Sequence, residues 1–183
     1  MSSAEPSMPQ ERVLPGATAM QDAPVRKTIT VQASARRAFE VFTAGFDSWW
    51  PRSHHIGKVP MKRAIIEGHV GGRCYTEQTD GTECDWGEIT AWEPPKRFVM
   101  AWKITGQWQY EPDLAKSSEV EVRFTPLEDG ATRVDLEHRN FARMGGGWET
   151  MRGMVDSPGG WGSTLALFAA EAEKHDEQRP PER

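Results

Sequence analysis

The chain has 183 residues, 37% of them hydrophobic and 27% charged, with a formal net charge of −5 and a pI near 5.6. That length suits one domain with a sizeable core and short tails. The mild acidity argues against a nucleic-acid partner, which needs a basic patch, and no apolar run approaches the roughly 20 residues of a membrane span.

Residues 1–25 contain the stretch "MSSAEPSMPQERVLPGATAMQDAP", which has no apolar h-region and so does not read as a secretory signal. Its Pro, Ser and Gln content reads as a disordered arm. Residues 175–183 read as a charged, frayed tail, which leaves 26–174 as the folded part. Cys74 and Cys84 are the only cysteines. They suggest no disulfide framework, so a cytoplasmic location is expected.

The folded part opens with "RKTITVQAS", whose alternation and β-branched residues predict a strand. A helix follows over "SARRAFEVFTAGF", with Ser34 as its cap and Ala38, Phe39, Phe42 and Phe46 at helical spacing. Then comes "FDSWWPRSHH", in which Pro51 disfavours a helical Trp50 and ends the helix. "KRAIIEG" is a short strand. "RCYTEQTDGTECDWGEITAW" reads as a hairpin around Asp80-Gly81, a type I′ signal. A two-residue turn there pairs Thr79 with Thr82 and Cys74 with Gly87. It puts the two cysteines on opposite faces, so no bond between them is expected.

Pro94 and Pro95 make the next turn. In the strand after it, Phe98, Met100, Trp102 and Ile104 share one face and Arg97 and Lys103 the other, as in a half-buried antiparallel strand. Pairing Trp92 with Arg97 brings Gly87 beside Trp102, where it would make room for the indole. "SEVEVRFTP" turns Val120, Val122 and Phe124 inward, and "ATRVDLEHR" does the same for Val134, Leu136 and His138. The glycine-rich "MGGGW" reads as a flexible gate. The last helix is expected to start near Ser157 with Pro158 in its first turn, and Trp161, Leu165, Phe168 and Ala172 line one stripe. Strand, helix, six strands and a long helix make an α+β layer fold.

"CDWGEITAWEPPKRFVMAWKI", with "GGR" before it, "EVRFTPLEDGATRVDLEH" after it and the late "GGW" helix, resembles the Activator of Hsp 90 ATPase homologue-like family. That family belongs to the START-like, or SRPBCC, superfamily. The likeness covers roughly residues 26–173. It implies a helix-grip fold, a curved seven-stranded antiparallel sheet around a long C-terminal helix, with a deep pocket between them. Members bind lipids, hormones or polyketides, or act as cyclases. The separate chaperone-binding domain of the eukaryotic co-chaperone has no counterpart in this sequence.

Three sets of residues bear on chemistry. His54 and His55 are adjacent, so their side chains diverge, and no Cys-x-x-Cys or His-x-x-x-His spacing supplies further metal ligands. They are expected in a hydrated loop at the lip of an apolar pocket, with no metal. Trp50, Trp102, Trp108 and Trp161 are candidate walls of that pocket. Phe98, Met100, Val122, Phe124, Leu136, Leu165 and Phe168 are expected to line it too. His138 and Asp85, projecting to the concave face, join His54 as candidate acid-base groups. No phosphate loop, dinucleotide fingerprint or nucleophile elbow is visible, and no cofactor is implied. The expected function is binding of an apolar or aromatic small molecule. The alternatives are an enzyme doing cyclase-like or hydrolase-like acid-base chemistry in the same cavity, and a chaperone-associated domain. The assembly state is left open, a homodimer included.

Overall fold

A computed structural model describes residues 21–174. The expected N-terminal arm and charged tail fall almost wholly outside the described residues. Seven strands form one antiparallel sheet in the order β1-β7-β6-β5-β4-β3-β2. They are β1 (Val25–Val31), β2 (Met61–Ile66), β3 (Arg73–Gln78), β4 (Glu83–Glu93), β5 (Arg97–Trp102), β6 (Ser118–Pro126) and β7 (Thr132–Arg139). The sheet curls into a half-barrel. Helices α1 (Ala35–Phe42) and α2 (Phe46–Trp49) link β1 to β2, while α3 (Trp148–Asp156) and α4 (Trp161–Lys174) follow β7. This is the expected α+β helix-grip architecture. No helix among the described residues is long and apolar enough to cross a membrane.

The alternation of β5, β6 and β7 turns Phe98, Met100, Val120, Val122, Phe124, Val134 and Leu136 into the core. Ser34 caps α1 by accepting from Arg37 N at 3.1 Å, which satisfies one of the helix's free N–H groups. Phe39 and Phe42 then pack edge-on against Phe124, and Phe42 meets Phe168 of α4 at 4.9 Å. Edge-to-face pairs of this kind add to the stabilisation from burial alone. The outer face of the same strands carries ion pairs between neighbours, such as Arg97–Glu121 and Arg139–Glu119.

The hairpin between β3 and β4 departs from the sequence reading. Gln78 N donates to Thr82 O and Gly81 N to Gln78 O, so the loop holds three residues, with Gly81 at φ +84. A type I′ turn needs φ > 0 at both central residues, and Asp80 is not among the non-glycine residues with positive φ. The pairing is therefore Glu77 with Glu83 and Thr76 with Cys84. A bulge between Cys74 and Tyr75 on one side, and Asp85 and Gly87 on the other, restores the Cys74–Gly87 pair. A second bulge at Thr90 shifts Trp92 from Arg97 to Phe98 and leaves Gly87 opposite Trp102. Two bulges in one long strand bend it and increase its twist.

The C-terminal helical region departs as well. The long helix starts at Trp161, not near Ser157, and α3 precedes it. Ser157 closes α3, its N–H donating to Met154 O. Gly160 then crosses so close to Val155 that a Cβ there would meet the Val155 carbonyl at 2.2 Å. The chain turns sharply at a place only glycine fits.

Candidate functional site

A cavity of about 350 Å³ opens at the N-terminal end of α4, within the range typical of small-molecule sites. One wall is the sheet: Thr76 of β3, Trp86 of β4, Trp102 of β5 and Ile104 just beyond. The α2–β2 loop contributes Trp50, His54, His55 and Ile56. The opposite wall runs from Met154 and Val155 of α3 through Gly159 and Gly160 to Trp161 and Thr164 of α4.

Four of the lining indoles form a closed ring of neighbours. Trp50 and Trp86 lie parallel, with centroids 6.1 Å apart and planes 3° apart. Trp86 meets Trp102 edge-on at 5.6 Å, Trp102 meets Trp161 at 5.7 Å, and Trp161 returns to Trp50 at 6.0 Å. A fifth indole, Trp108, stands at the mouth, 43% exposed and at φ +59. A bulky residue in the left-handed region is a strained conformation.

The two adjacent tryptophans after α1 divide. Trp49 enters the core against Phe42 and Phe168 and donates to Val41 O at 3.0 Å. Trp50, already in extended backbone at ψ 128 before Pro51, stacks on Phe46 at 4.7 Å and donates to His54 O at 2.9 Å. Phe46 is thus the anchor from which Trp50 reaches the pocket.

His54 and His55 lie in the loop after α2, His54 exposed and His55 half-buried, and both also line the pocket. Burial lowers the His54 pKa, so its ring is neutral at pH 7. His55 Nδ1 lies 3.0 Å from Gln78 Nε2. An amide nitrogen only donates, so Nδ1 is the acceptor and the ring proton sits on Nε2. Among the described residues, no group of three or more His, Cys, Asp or Glu could hold a metal.

His138 lies behind the pocket wall. Its Nδ1 accepts from Trp161 Nε1 at 3.1 Å and its Nε2 lies 2.8 Å from Ser118 Oγ. An indole N–H has no acceptor capacity, so the proton is on Nε2 and is directed at Ser118. Full burial pushes its pKa down to about 3. The ring is neutral, doubly bonded and away from the lining, which makes it a support for Trp161 rather than an acid or base.

Asp85 lies outside the pocket, paired with Arg73 at 2.7 Å. The three-residue turn, which pairs Thr76 with Cys84, puts Trp86 and not Asp85 on the concave face, and the bulge then restores the Cys74–Gly87 pair. Trp86 escaped the sequence reading because a two-residue turn places it outward. The Trp86-Gly87 pair in mid-strand was the available signal, since glycine inside a strand often marks a bulge. Phe98, Met100, Val122, Phe124, Leu136, Leu165 and Phe168 sit in the solid core beside the cavity and do not line it. Beyond Thr164, α4 packs against β1, α1 and α2.

The sequence profile described as Activator of Hsp90 ATPase homolog 1-like protein matches residues 32–173. Among solved structures the chain is similar to Txn09, an anthrahydroquino-gamma-pyrone synthase. The identity is 43%, over 80% of this chain and 95% of that one, at a TM-score of 0.58. It is similar to CalC, a self-sacrificing resistance protein from Micromonospora echinospora, at 32% identity over 88% and 99% of the two chains and a TM-score of 0.61. A protein from Nitrosomonas europaea shares the fold at 15% identity, over 85% and 96% of the chains, with a TM-score of 0.58. No curated protein sequence matches.

Proposed function

From the premise that the chain belongs to the Activator of Hsp90 ATPase homolog 1-like family, we propose that it binds a flat aromatic small molecule in the cavity lined by Trp50, Trp86, Trp102 and Trp161. The observation that carries this reading is the closed ring of four indoles lining a cavity of about 350 Å³. Indole faces stack on flat rings and resist collapse, so a cavity walled by them selects planar ligands over flexible chains. Trp108 covers the mouth, and the His54 and His55 rings supply polar contacts at the rim. The likeness to a synthase of a fused aromatic product supports the same ligand class. Titration with an anilinonaphthalene dye, followed by tryptophan fluorescence, tests the reading. One saturable site is expected, and the absence of saturable binding would sink it.

A second reading is favoured by His54. The same pocket closes a ring in its ligand. A ligand hydroxyl oxygen adds to a carbon–carbon double bond conjugated to a carbonyl, and the neutral His54 imidazole takes the hydroxyl proton and returns it to the carbon beside the carbonyl. No group leaves and no oxidant is needed, and the 43% identity to a synthase supports this. The readings part on the molecule that co-purifies from the protein's own host, identified by native mass spectrometry. If adding it back to wild type converts it and adding it to His54→Gln does not, while both bind it, the enzyme reading holds. If both return it unchanged, the protein is a binder.

A further inference from the structure

Most side-chain donors on the cavity lining are committed inside the protein. Trp50 and Trp161 give their N–H groups to the His54 carbonyl and to His138. Ser157 Oγ donates to Met154 O, and Thr164 Oγ1 to Trp161 O. The Trp86 and Trp102 Nε1 atoms and Thr76 Oγ1 are enclosed by protein, with almost no accessible surface. The donors left open to a ligand therefore belong to the rim, to His54, His55 and Trp108. Of these, His55 alone has its donor atom fixed by a partner.

That partner is Gln78, the last residue of β3 and fully buried. Gln78 Nε2 lies 3.0 Å from His55 Nδ1 and 3.4 Å from Val59 O. A carbonyl oxygen only accepts, so the Val59 contact requires the amide nitrogen at this place and sets which way the Gln78 amide points. His55 Nδ1 must then accept, which puts the ring proton on Nε2. The loop is folded tightly around the amide: a Cβ on Gly57 would stand 2.0 Å from Nε2. On the amide's other side, Oε1 is buried without a partner. An unpaired buried acceptor costs stability, and such an exception calls for an explanation. Control of the His55 ring supplies one. His55 is itself half-buried, and its Nε2 is not among the buried side-chain atoms that lack a partner, so that atom keeps accessible surface.

We infer that His55 is a specificity-determining residue of the pocket, whose Nε2–H donates to an oxygen on the outer edge of the ligand, and that Gln78 is the positioning residue that keeps the donor on that atom. The ligand is then an aromatic molecule with its acceptor oxygen at the rim and its apolar rings inward. A donor-only group such as an ammonium meets a second donor there and is disfavoured. The inference rests on the pocket-binding reading and adds to it the ligand's polar group and orientation.

The test uses 2-acetylnaphthalene and 2-isopropenylnaphthalene, which share a skeleton and differ by a carbonyl oxygen in place of a methylene. Each is titrated by displacement of a bound anilinonaphthalene dye. His55→Phe, which keeps a ring and removes the donor, is expected to weaken the ketone about fivefold and to leave the hydrocarbon within about twofold. His55→Gln, whose amide again offers a donor, should restore part of the ketone's affinity. In protein labelled with 15N-histidine, the His55 signal, assigned by its loss in His55→Phe, should show the Nε2–H tautomer and should move with the ketone but not with the hydrocarbon. Gln78→Met should release the tautomer into a mixture and reduce the ketone's affinity relative to the hydrocarbon's; a merely structural Gln78 would leave the tautomer as it is, and that result would overturn its positioning role. Equal effects of His55→Phe on both probes, an Nδ1–H tautomer in wild type, or dye that neither probe displaces would overturn the inference and leave the pocket reading standing. Failure of the dye itself to bind would overturn both.

Discussion

Trp161 Nε1 donates to His138 Nδ1 at 3.1 Å, and both side chains are buried. The bond joins the first residue of α4 to the last inward position of β7. It fixes the plane of a pocket wall from behind, and Ser118 Oγ on β6 fixes the imidazole in turn. A hydrogen bond of this kind works only while the imidazole is neutral, since Nδ1 must keep its lone pair.

That requirement makes stability depend on pH. Burial holds the folded His138 pKa down to about 3, while the unfolded chain protonates the same residue near about 6.5. Below the unfolded value the unfolded state binds more protons, so stability falls as pH falls, until the folded pKa is reached. The slope is about 1.4 kcal/mol per pH unit over that window. Thermal melts between pH 7 and 4 should show wild type losing stability more steeply than His138→Gln, which lacks the titrating group. Asp47 and Glu121, whose pKa values are lowered, add to acid lability in both proteins. Parallel curves would refute the account.

Gly87 is held by its neighbours rather than by the Trp102 indole. A Cβ there would stand 2.8 Å from the Ala101 carbonyl oxygen and 3.2 Å from Cys74 Cβ. The carbonyl belongs to a paired strand and cannot swing aside. Gly87→Ala is expected to cost about 1–3 kcal/mol, the usual range for overpacking, read from urea denaturation. A change within about 0.5 kcal/mol, as at an ordinary surface site, would show that the strand yields.

The two thiols should react very differently. Cys74 is fully buried, and burial pushes its pKa up, with Glu67 and Glu88 adding to the effect. Cys84 is half-buried, and its pKa is raised by burial and then by Asp80 and Asp85. The thiolate is the reactive form. A disulfide reagent at pH 8 should label Cys84 alone in the folded protein and both residues in denaturant. Two fast thiols before unfolding would place Cys74 nearer solvent than the fold allows.

The strand alternation through Phe98, Met100 and Trp102, and the stripe through Trp161 and Phe168, were legible because burial of one face leaves a period in the sequence. Trp50 and Trp49 could be divided in advance because Pro51 restricts only the residue before it. What stayed hidden depends on backbone conformation. Asp80-Gly81 admits both a two- and a three-residue turn, and the choice moves every residue up to the bulge by one place. This is how Asp85 left the pocket, Trp86 entered it, and Cys84 came to share a face with Thr76. Helix α3 was obscured by the glycines around and within it, at 145–147 and 153, which lower helix propensity. Its sharp connection to α4 depends on the close approach of the Gly160 backbone to the Val155 carbonyl.

Trp49 and Trp50 are adjacent, and they should fail in different ways. Trp49 fills core space between Phe42, Phe46 and Phe168 and does not line the cavity. Trp49→Ala removes those contacts and strands the Val41 carbonyl that its indole satisfies. The expected loss is about 3–5 kcal/mol, with little change in dye affinity for the fraction still folded. Trp50 instead gives one face to Phe46 and lines the cavity beside Trp86 and Trp161. Trp50→Ala opens the indole ring and enlarges the cavity toward the His54 loop. Binding of an anilinonaphthalene dye should weaken about tenfold or more, while the far-ultraviolet circular dichroism of the folded domain is kept; a tenfold loss corresponds to about 1.4 kcal/mol of contact. Paired titrations and melts on the two variants separate the roles. If Trp49→Ala weakens dye binding as much as Trp50→Ala does at equal folded fraction, the indole ring is not what holds the ligand.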